Sequence, residues 1–279
     1  MMIRLHHIPL LLILHVLSPS LVFAQQNPMP DVSGGWRFNV TPYIWAVGVN
    51  GTVNTNDGIS KSTNLSPSGV ISDLKGGIMI ASEAHKGDWG LGLDLLNANL
   101  GSQPGKTATG TLPNGIAVNA DLSTKANLKD TAITAAGMYT LLNNQSLYMD
   151  GLIGARYIST TVTINANLNL TGTLNGQYVG GKNIVRNPSM TTNTTDPIIG
   201  LKGRYRIADS AWYVPYYADI GSGGGTTNLT WQAMLGVGRA YSWGDLTLGY
   251  RVLYYDMNST GSLQKITFQG VNLGATFHF

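Results

Sequence analysis

The sequence predicts an all-β fold, an antiparallel transmembrane β-barrel of about ten strands, with eight to twelve allowed. Three observations support this prediction: apolar residues recur at every second position in many segments, only 11% of the residues are charged, and short connections alternate with long ones. Soluble proteins are typically about 25% charged. A chain so poor in charge, with no long apolar run in its main body, is typical of a barrel, where apolar residues occupy alternate strand positions.

The first 24 residues have the layout of a cleaved secretory signal. Arg4 precedes a short apolar stretch over 10–17. Val22 and Ala24 are the small side chains at the two positions that a signal peptidase reads when it cuts after Ala24. The apolar stretch is too short to span a bilayer, which needs about 20 residues. The sequence therefore predicts a signal peptide over 1–24, a flexible N-terminal stub over 25–35 and a barrel over 36–279.

Composition narrows the chemistry. Arg4 is the only charged residue of the signal, so the 17 basic residues of the chain fall to 16 against 14 acidic ones. A net charge of +2 predicts no nucleic-acid partner. The chain has no Cys, so neither a disulfide framework nor a thiolate metal site can form. We expect no cofactor and no metal.

The C-terminal nine residues show the strand period most clearly. Their alternating apolar positions are Val271, Leu273, Ala275, Phe277 and Phe279. A chain that ends on an aromatic residue in such a strand resembles the signal read by the barrel assembly machinery, which assigns this role to Phe277 and Phe279. The same alternation recurs over 89–95, 199–207, 231–237 and 246–254. The polar face of these segments is rich in Gly, which suits crowded side chains inside a narrow barrel.

The connections predict the strand count and orientation. Short turns are expected at 87–88, 143–145, 208–211 and 242–245. Long connections are expected at 47–75, 101–124, 160–195, 221–228 and 257–262. Four turns and five loops join ten strands, with both termini on the periplasmic side. The segments 110–122 and 160–178 look like hairpins, which could be extracellular extensions or two further barrel pairs.

Aromatic residues are expected to form belts at the two membrane interfaces. The belt at the periplasmic strand ends comprises Trp36, Phe38, Trp89, Tyr139, Tyr205, Trp212, Trp243 and Phe279. The belt at the other end comprises Trp45, Tyr157, Trp231 and Tyr254.

Several stretches resemble a group of uncharacterised proteobacterial outer-membrane β-barrels of the porin-like or OmpA-like type. They are 39–45 (NVTPYIW), 83–95 (EAHKGDWGLGLDL), 197–206 (PIIGLKGRYR), 217–221 (YADIG), 229–232 (LTWQ) and 248–251 (LGYR). The resemblance covers about two-thirds of the chain and excludes the long loops. It implies a location in the outer membrane of a Gram-negative bacterium and a barrel without a periplasmic peptidoglycan-binding domain. It implies no activity.

The strand phase predicts which charged side chains face the lumen. The basic ones are Arg37, Arg156, Lys202, Arg204, Arg206 and Arg251, and the acidic ones are Glu83, Asp94, Asp130, Asp150 and Asp219. A buried charge without a partner costs several kcal/mol, so these groups should pair in a narrow lumen. The near balance of signs favours an internal charge-paired network over an ion-selective constriction.

No catalytic constellation stands out. Enzymatic barrels commonly need a His near the extracellular rim as general base. The chain after residue 24 has two, His85 and His278, and both belong to the periplasmic end. The glycine-rich run 221–225 precedes a strand instead of a helix, so it lacks the geometry of a phosphate loop.

The sequence thus predicts a monomeric, non-enzymatic outer-membrane barrel, structural or a minor passive pore with a charge-paired lumen. The alternative is a surface-binding, adhesin-type barrel acting through its long extracellular loops, and a lipid A-modifying enzyme is a third possibility. Expected partners are outer-membrane lipid and lipopolysaccharide, together with the barrel assembly machinery and periplasmic chaperones in transit.

Overall fold

The computed structural model describes residues 26–54, 60–65, 74–102, 105–187, 189–224, 227–257 and 263–279, and these contain thirteen strands. The strands are β1 (Trp36–Asn54), β2 (Ser60–Leu65), β3 (Leu74–Lys86), β4 (Trp89–Ser102), β5 (Gly105–Thr111), β6 (Ala117–Asn143), β7 (Leu147–Leu174), β8 (Gln177–Arg186), β9 (Ser189–Arg206), β10 (Trp212–Gly221), β11 (Thr227–Tyr241), β12 (Gly244–Met257) and β13 (Leu263–His278). No helix among the described residues is long and apolar enough to cross a membrane.

Ten of these strands close into an antiparallel ring. The hydrogen-bonded order is β6-β4-β3-β1-β13-β12-β11-β10-β9-β7, and pairing between β6 and β7 completes the circle. The first and last strands are also neighbours, since Phe38 and Phe279 exchange two main-chain hydrogen bonds of 3.0 and 2.9 Å. The predicted all-β antiparallel barrel of ten strands is confirmed.

The remaining three strands extend the barrel beyond one end. β2 pairs with the upper part of β1, β5 lies beyond β4 along the edge of β6, and β8 lies beyond β9 along the edge of β7. The predicted hairpins are therefore extensions of the ring and not further barrel pairs. The β7–β8 turn contains Asn175 and Gly176 at φ values of 47° and 80°, the backbone that a two-residue Asn-Gly hairpin turn requires.

The four short turns lie at one end of the barrel, as predicted, but the limits predicted for three long connections are wrong. β1 continues to Asn54, and β6 and β7 pair without a break from Asn127–Thr163 up to Ala117–Thr173. The Thr- and Asn-rich composition of these segments is typical of a loop. Their backbone is nevertheless hydrogen bonded to the neighbouring strand, and this pairing keeps the residues extended. Ala24 and the rest of the predicted signal peptide lie outside the described residues, as do 55–59, 66–73 and 258–262 of the predicted loops.

The exterior of the ring is apolar. Exposed side chains on alternating positions include Leu91, Ile153, Ile199, Leu235 and Leu273. The aromatic residues predicted for the short-turn end that are exposed on this surface are Trp36, Phe38, Trp89, Tyr139, Tyr205, Trp212, Trp243 and Phe279. A closed antiparallel barrel with an apolar band and aromatic rings at its boundary is the form in which strands cross the outer membrane, and this chain is an outer-membrane β-barrel protein.

The assignment of Trp45 to the outer belt is wrong. Its side chain is only 4% exposed and points into the barrel, where its indole Nε1 donates to the carbonyl oxygen of Gly270 at 3.2 Å. Trp45 shares its strand phase with the inward Arg37 and Tyr43, whereas Ile44 faces outward. Position near a strand end suggested the belt, but strand phase decides the face.

Inward glycines make room for rings. A Cβ atom on Gly90 would lie 2.5 Å from the imidazole of His85, and one on Gly238 would overlap the phenol ring of Tyr213. Both rings are almost fully buried. The glycine-rich inner face predicted from the sequence thus corresponds to close packing of side chains against bare backbone.

We expect Gly238→Ala to destabilise the barrel by about 1–3 kcal/mol, because the added methyl group forces the buried Tyr213 ring out of place. Gly137→Ala is the matched control, since a Cβ at this position of β6 meets only the carbonyl oxygen of Ile153 at 3.9 Å. Urea unfolding in lipid vesicles measures both changes. Equal effects of the two substitutions would contradict the packing argument.

Orientation can be tested by cysteine labelling, since the chain has no Cys of its own. A Cys at Asn183 in β8 should react with a membrane-impermeant reagent on intact cells, because the long-loop end faces outward. A Cys at Asn144, exposed in the β6–β7 turn, should react only after the outer membrane is permeabilised. The opposite pattern would reverse the barrel in the membrane.

Candidate functional site

The candidate site is the lumen, where four ion pairs join strands that are not neighbours in the ring. They are Arg251–Asp94, Arg156–Asp219, Lys202–Glu83 and Arg204–Asp245. Arg251–Asp94 and Lys202–Glu83 reach across the interior, because three strands separate the partners by the shorter way round the ring. Two strands separate Arg204 from Asp245, and one separates Arg156 from Asp219. The network therefore fills the lumen as well as neutralising its charges.

The Arg251 pair is the most extensively bonded. Its Nη2 donates to Asp94 Oδ2 at 2.7 Å and to Gln232 Oε1 at 2.9 Å, while Nη1 donates to Tyr43 Oη at 3.1 Å. Tyr43 in turn donates to Asp94 Oδ1 at 2.6 Å. The guanidinium also lies 4.9 Å from the ring centroid of Trp45. These contacts occupy both terminal nitrogens of the guanidinium and both carboxylate oxygens, whereas Arg251 Nε is buried without a hydrogen-bond partner among the described residues.

The Arg156 pair is the most deeply buried. Arg156 is 1% exposed, and its Nη2 donates to Asp219 Oδ2. Its Nε donates to Thr134 Oγ1 at 3.2 Å, and its Nη1 donates to Thr230 Oγ1 at 3.5 Å. Every nitrogen of this guanidinium therefore has an oxygen partner, as a buried cation requires.

Two further pairs lie nearer the short-turn end, and each includes a histidine. Glu83 binds Lys202 and lies 3.4 Å from His85 Nε2. Asp245 binds Arg204 Nη1 at 2.8 Å and lies 3.3 Å from His278 Nε2.

The other predicted lumen charges find partners of a different kind. Asp150 accepts hydrogen bonds from Thr140 and Tyr148, and Asp130 accepts one from Thr160. Arg37 donates to the carbonyl oxygen of Gly87 at 3.3 Å. Within the described ranges, none of Asp130, Asp150 and Arg37 has an oppositely charged group within 4.0 Å.

Arg206 lies apart from the network. It donates to the carbonyl oxygen of Ser210 at 2.9 Å and lies 3.9 Å from the exposed Asp209 of the same turn. The structure thus brings together three predicted base–acid pairs and pairs Arg204 with an acid that sequence reasoning missed.

Two buried acids were overlooked by the sequence analysis, although the strand phase marks both of them. Asp245 has the phase of Arg251 along β12, but it was assigned to a turn. Asp196 has the phase of Lys202 and Arg204 along β9, and it is fully buried with Thr194 donating to its Oδ1 at 2.8 Å. Both positions were placed at or beyond a predicted strand end, where the phase was not applied.

Apolar side chains fill the lumen toward the long-loop end. The buried cluster there is Tyr43, Trp45, Val47, Val49, Leu96, Ala98, Ala132, Ile158, Leu253, Tyr255, Met257, Ile266 and Phe268. Its members come from β1, β4, β6, β7, β12 and β13, so they meet from opposite sides of the ring. Buried polar side chains of β9 and β11, among them Thr194, Asp196, Thr227 and Thr230, complete the layer at the same level. The layer therefore closes the interior by close packing of side chains, and it is apolar over the arc of strands from β7 through β1 to β12.

A cavity of about 240 Å³ lies below this layer, toward the short-turn end. Its walls carry Glu83, Asp94, Lys202, Arg204 and Arg251, together with several tyrosines. The part of the predicted N-terminal stub that precedes β1 reaches the same place. Pro28 and Met29 are buried, Arg204 Nη1 donates to the carbonyl oxygen of Pro28 at 2.8 Å, and Pro30 lines the cavity.

No family model matches the chain, and no curated protein matches it in sequence. Solved structures share its barrel fold. The outer-membrane protease OmpT from Escherichia coli is 11% identical, with 91% of this chain and 100% of that chain covered at a TM-score of 0.49. Ail, the attachment invasion locus protein of Yersinia pestis, is 10% identical over 88% of this chain and 99% of its own, at 0.35. The translocator domain of the autotransporter NalP from Neisseria meningitidis is 13% identical over 88% of each chain, at 0.36. The likeness concerns the fold alone.

We expect Asp94→Ala to lower the free energy of unfolding by about 3 kcal/mol, because it leaves the buried Arg251 guanidinium without its carboxylate. Asp209→Ala removes an acid from an exposed turn and should change stability little. The double variant Asp94→Leu/Arg251→Met removes both charges and should recover much of the loss. Denaturant titration in vesicles gives all three values, and a double variant less stable than Asp94→Ala would contradict this account.

Proposed function

We propose that this protein is a closed, structural outer-membrane barrel that conducts at most as a minor passive pore. The observation that carries the proposal is the apolar layer across the lumen at the long-loop end. A water-filled channel needs a continuous polar path, and small barrels are filled by their own side chains.

The charge network supports the same function. Each of the four ion pairs in the lumen is neutral as a unit, so the pairs provide little electric field to attract an ion of either sign. Burying a charged side chain costs free energy, and this cost is offset only when its oppositely charged partner is in contact. The strands that carry the two partners must therefore keep their relative positions. The Arg251–Asp94 and Lys202–Glu83 pairs hold opposite walls of the ring at a fixed distance.

The short-turn mouth is narrowed as well. Burial of Pro28 and Met29 and the hydrogen bond from Arg204 to Pro28 place main chain over the cavity. The cavity therefore lies between the apolar layer on one side and this segment on the other.

Planar-bilayer recording of the purified protein tests the proposal. We expect no large steady conductance from the wild type, because the apolar layer interrupts any aqueous path. Trp45→Ala/Phe268→Ala removes two large side chains from that layer and should produce a measurable leak. Insertion is verified separately by the heat-modifiable mobility of the folded band. A large, steady, anion-selective conductance of the wild type would make the protein a porin.

A surface-binding role is a second candidate, and one observation favours it. β5, β6, β7 and β8 form a four-stranded sheet that projects beyond the ring. Along β8 most side chains are exposed, including Tyr178 and Val185. Binding to host or matrix ligands that is lost when 105–123 and 166–186 are shortened would support this role.

We infer that the protein is not an enzyme. The two histidines of the described residues, His85 and His278, lie at the short-turn end, away from the long-loop rim where enzymatic barrels commonly place a general base. An altered lipid A profile on overexpression of the protein would contradict this inference.

A further inference from the structure

One face of the barrel wall continues without interruption from the membrane into the projecting sheet. In β7 the outward positions run from Ile153, which is 69% exposed, through Tyr157 to Asn169. The pairing of β7 with β6 and β9 shows no register shift over this stretch. The side chains that face lipid below are therefore followed on the same surface by those that face the space just above the membrane.

The chemistry of this surface changes at the membrane boundary. From the level of Tyr157 outward, most outward residues of β6, β7 and β9 carry hydroxyl, amide or ammonium groups, and the carboxylate of Asp121 lies opposite Asn169 at the upper edge. We call the hydroxyl, amide and ammonium residues the outward polar face. It comprises Lys125, Asn127 and Lys129 of β6, Thr161, Thr163, Asn165, Asn167 and Asn169 of β7, and Thr191, Asn193 and Thr195 of β9.

The opposite face of the same strands has the reverse character. Residues on the axis-facing side include Val118, Ala120, Leu168 and Leu170. Within the membrane the outward face is apolar and much of the inner one polar, whereas above it the outward face is polar and the inner one apolar. Polar and apolar side chains still alternate along each strand, but the polar ones now face outward. The outward face is therefore suited to polar surroundings at that height.

The distance of each lysine from the aromatic boundary follows from its position along the strand. Lys129 pairs with Thr161, four residues beyond Tyr157, which is roughly 10 Å above the aromatic boundary for a strand tilted by about 40°. The headgroup layer extends about 5–8 Å beyond the hydrocarbon core, so Lys129 lies at its outer edge. Lys125 pairs with Asn165, a further 10 Å out by the same arithmetic, and Asn167 and Asn169 lie beyond it.

We propose that the outward polar face binds the lipopolysaccharide of the surrounding outer leaflet. The ammonium groups of Lys125 and Lys129 pair with phosphates of the lipid A and inner-core region, and the Asn and Thr side chains hydrogen bond to core sugars. An exposed ammonium is a point charge suited to phosphate. Amides and hydroxyls supply both donors and acceptors, which sugar hydroxyls require.

Local geometry supports this assignment. Both lysines are exposed, and neither belongs to an ion pair shorter than 4.0 Å within the part of the chain that the structure describes. The hydroxyls of Thr161 and Thr191 lie 3.0 Å apart, and those of Thr163 and Ser189 lie 3.1 Å apart. Each pair uses only part of its hydrogen-bonding capacity, so the row is ordered and can still bind a sugar.

The experiment measures binding of purified full-length protein to lipopolysaccharide that carries the core, to a truncated form that lacks core sugars, to a dephosphorylated form and to vesicles of anionic phospholipid. Native mass spectrometry in detergent gives the affinities. Lys125→Gln/Lys129→Gln should weaken binding of the phosphorylated forms about tenfold or more. The matched control Lys86→Gln/Lys182→Gln makes the same charge change at the short-turn end of β3 and on the axis-facing side of β8, and it should leave affinity unchanged.

The sugar layer is tested separately. Asn165→Ala/Asn167→Ala should abolish most of the preference for the core-bearing form over the truncated one, while Asn144→Ala in the short turn should not. Equal affinity for anionic phospholipid, or no effect of the Lys125/Lys129 variant in a protein with normal heat-modifiable mobility, would overturn the proposal. Equally tight binding of free glycans without lipid A would overturn it in favour of a surface lectin. The result does not depend on whether the lumen conducts.

Discussion

A bilayer offers no water to main-chain amide and carbonyl groups, and the structure depends on this constraint. Each strand must pair on both edges, so the sheet can be stable in lipid only if it closes. The β6–β7 and β1–β13 pairings complete that closure, and Phe279 is bonded into the seam through Phe38. Once the ring is closed, every strand has one face toward lipid and one toward the lumen, and the alternating sequence is its direct consequence.

A ten-stranded ring leaves little room inside, and close-packed side chains fill most of its interior. Gly90 and Gly238 have no side chain, so the rings of His85 and Tyr213 pack directly against their backbone. Apolar side chains meet across the barrel axis near the long-loop end. Eight charged groups enter this space as four neutral pairs between strands that are not neighbours, and the buried carboxylates of Asp130, Asp150 and Asp196 accept hydrogen bonds from hydroxyl groups. The lumen therefore resembles the core of a soluble protein with polar cross-links more than it resembles a pore.

The same backbone ladder serves two environments. Beyond the membrane, β6 and β7 continue as paired strands, but the outward side chains change from Ile153 and Tyr157 to Thr161 and Asn165. Strand pairing satisfies the hydrogen bonds of the backbone in both regions. The polarity of the outward side chains matches the surroundings of the barrel wall at each height. A surface of this kind is suited to the phosphates and sugars of an outer leaflet, and the lumen is unaffected by it.

The sequence by itself determined the barrel, the short turns and lipid-facing residues such as Leu91 and Ile199, because period-2 alternation is a local property of each strand. It predicted about ten strands with eight to twelve allowed, and the strand pairing decided for ten. It also marked most charged residues of the lumen. Tertiary structure alone decided that Arg204 meets Asp245 and that strands continue through the Thr- and Asn-rich segments. Both outcomes depend on the stagger and pairing of strands far apart in the chain, and neither strand phase nor composition carries that information.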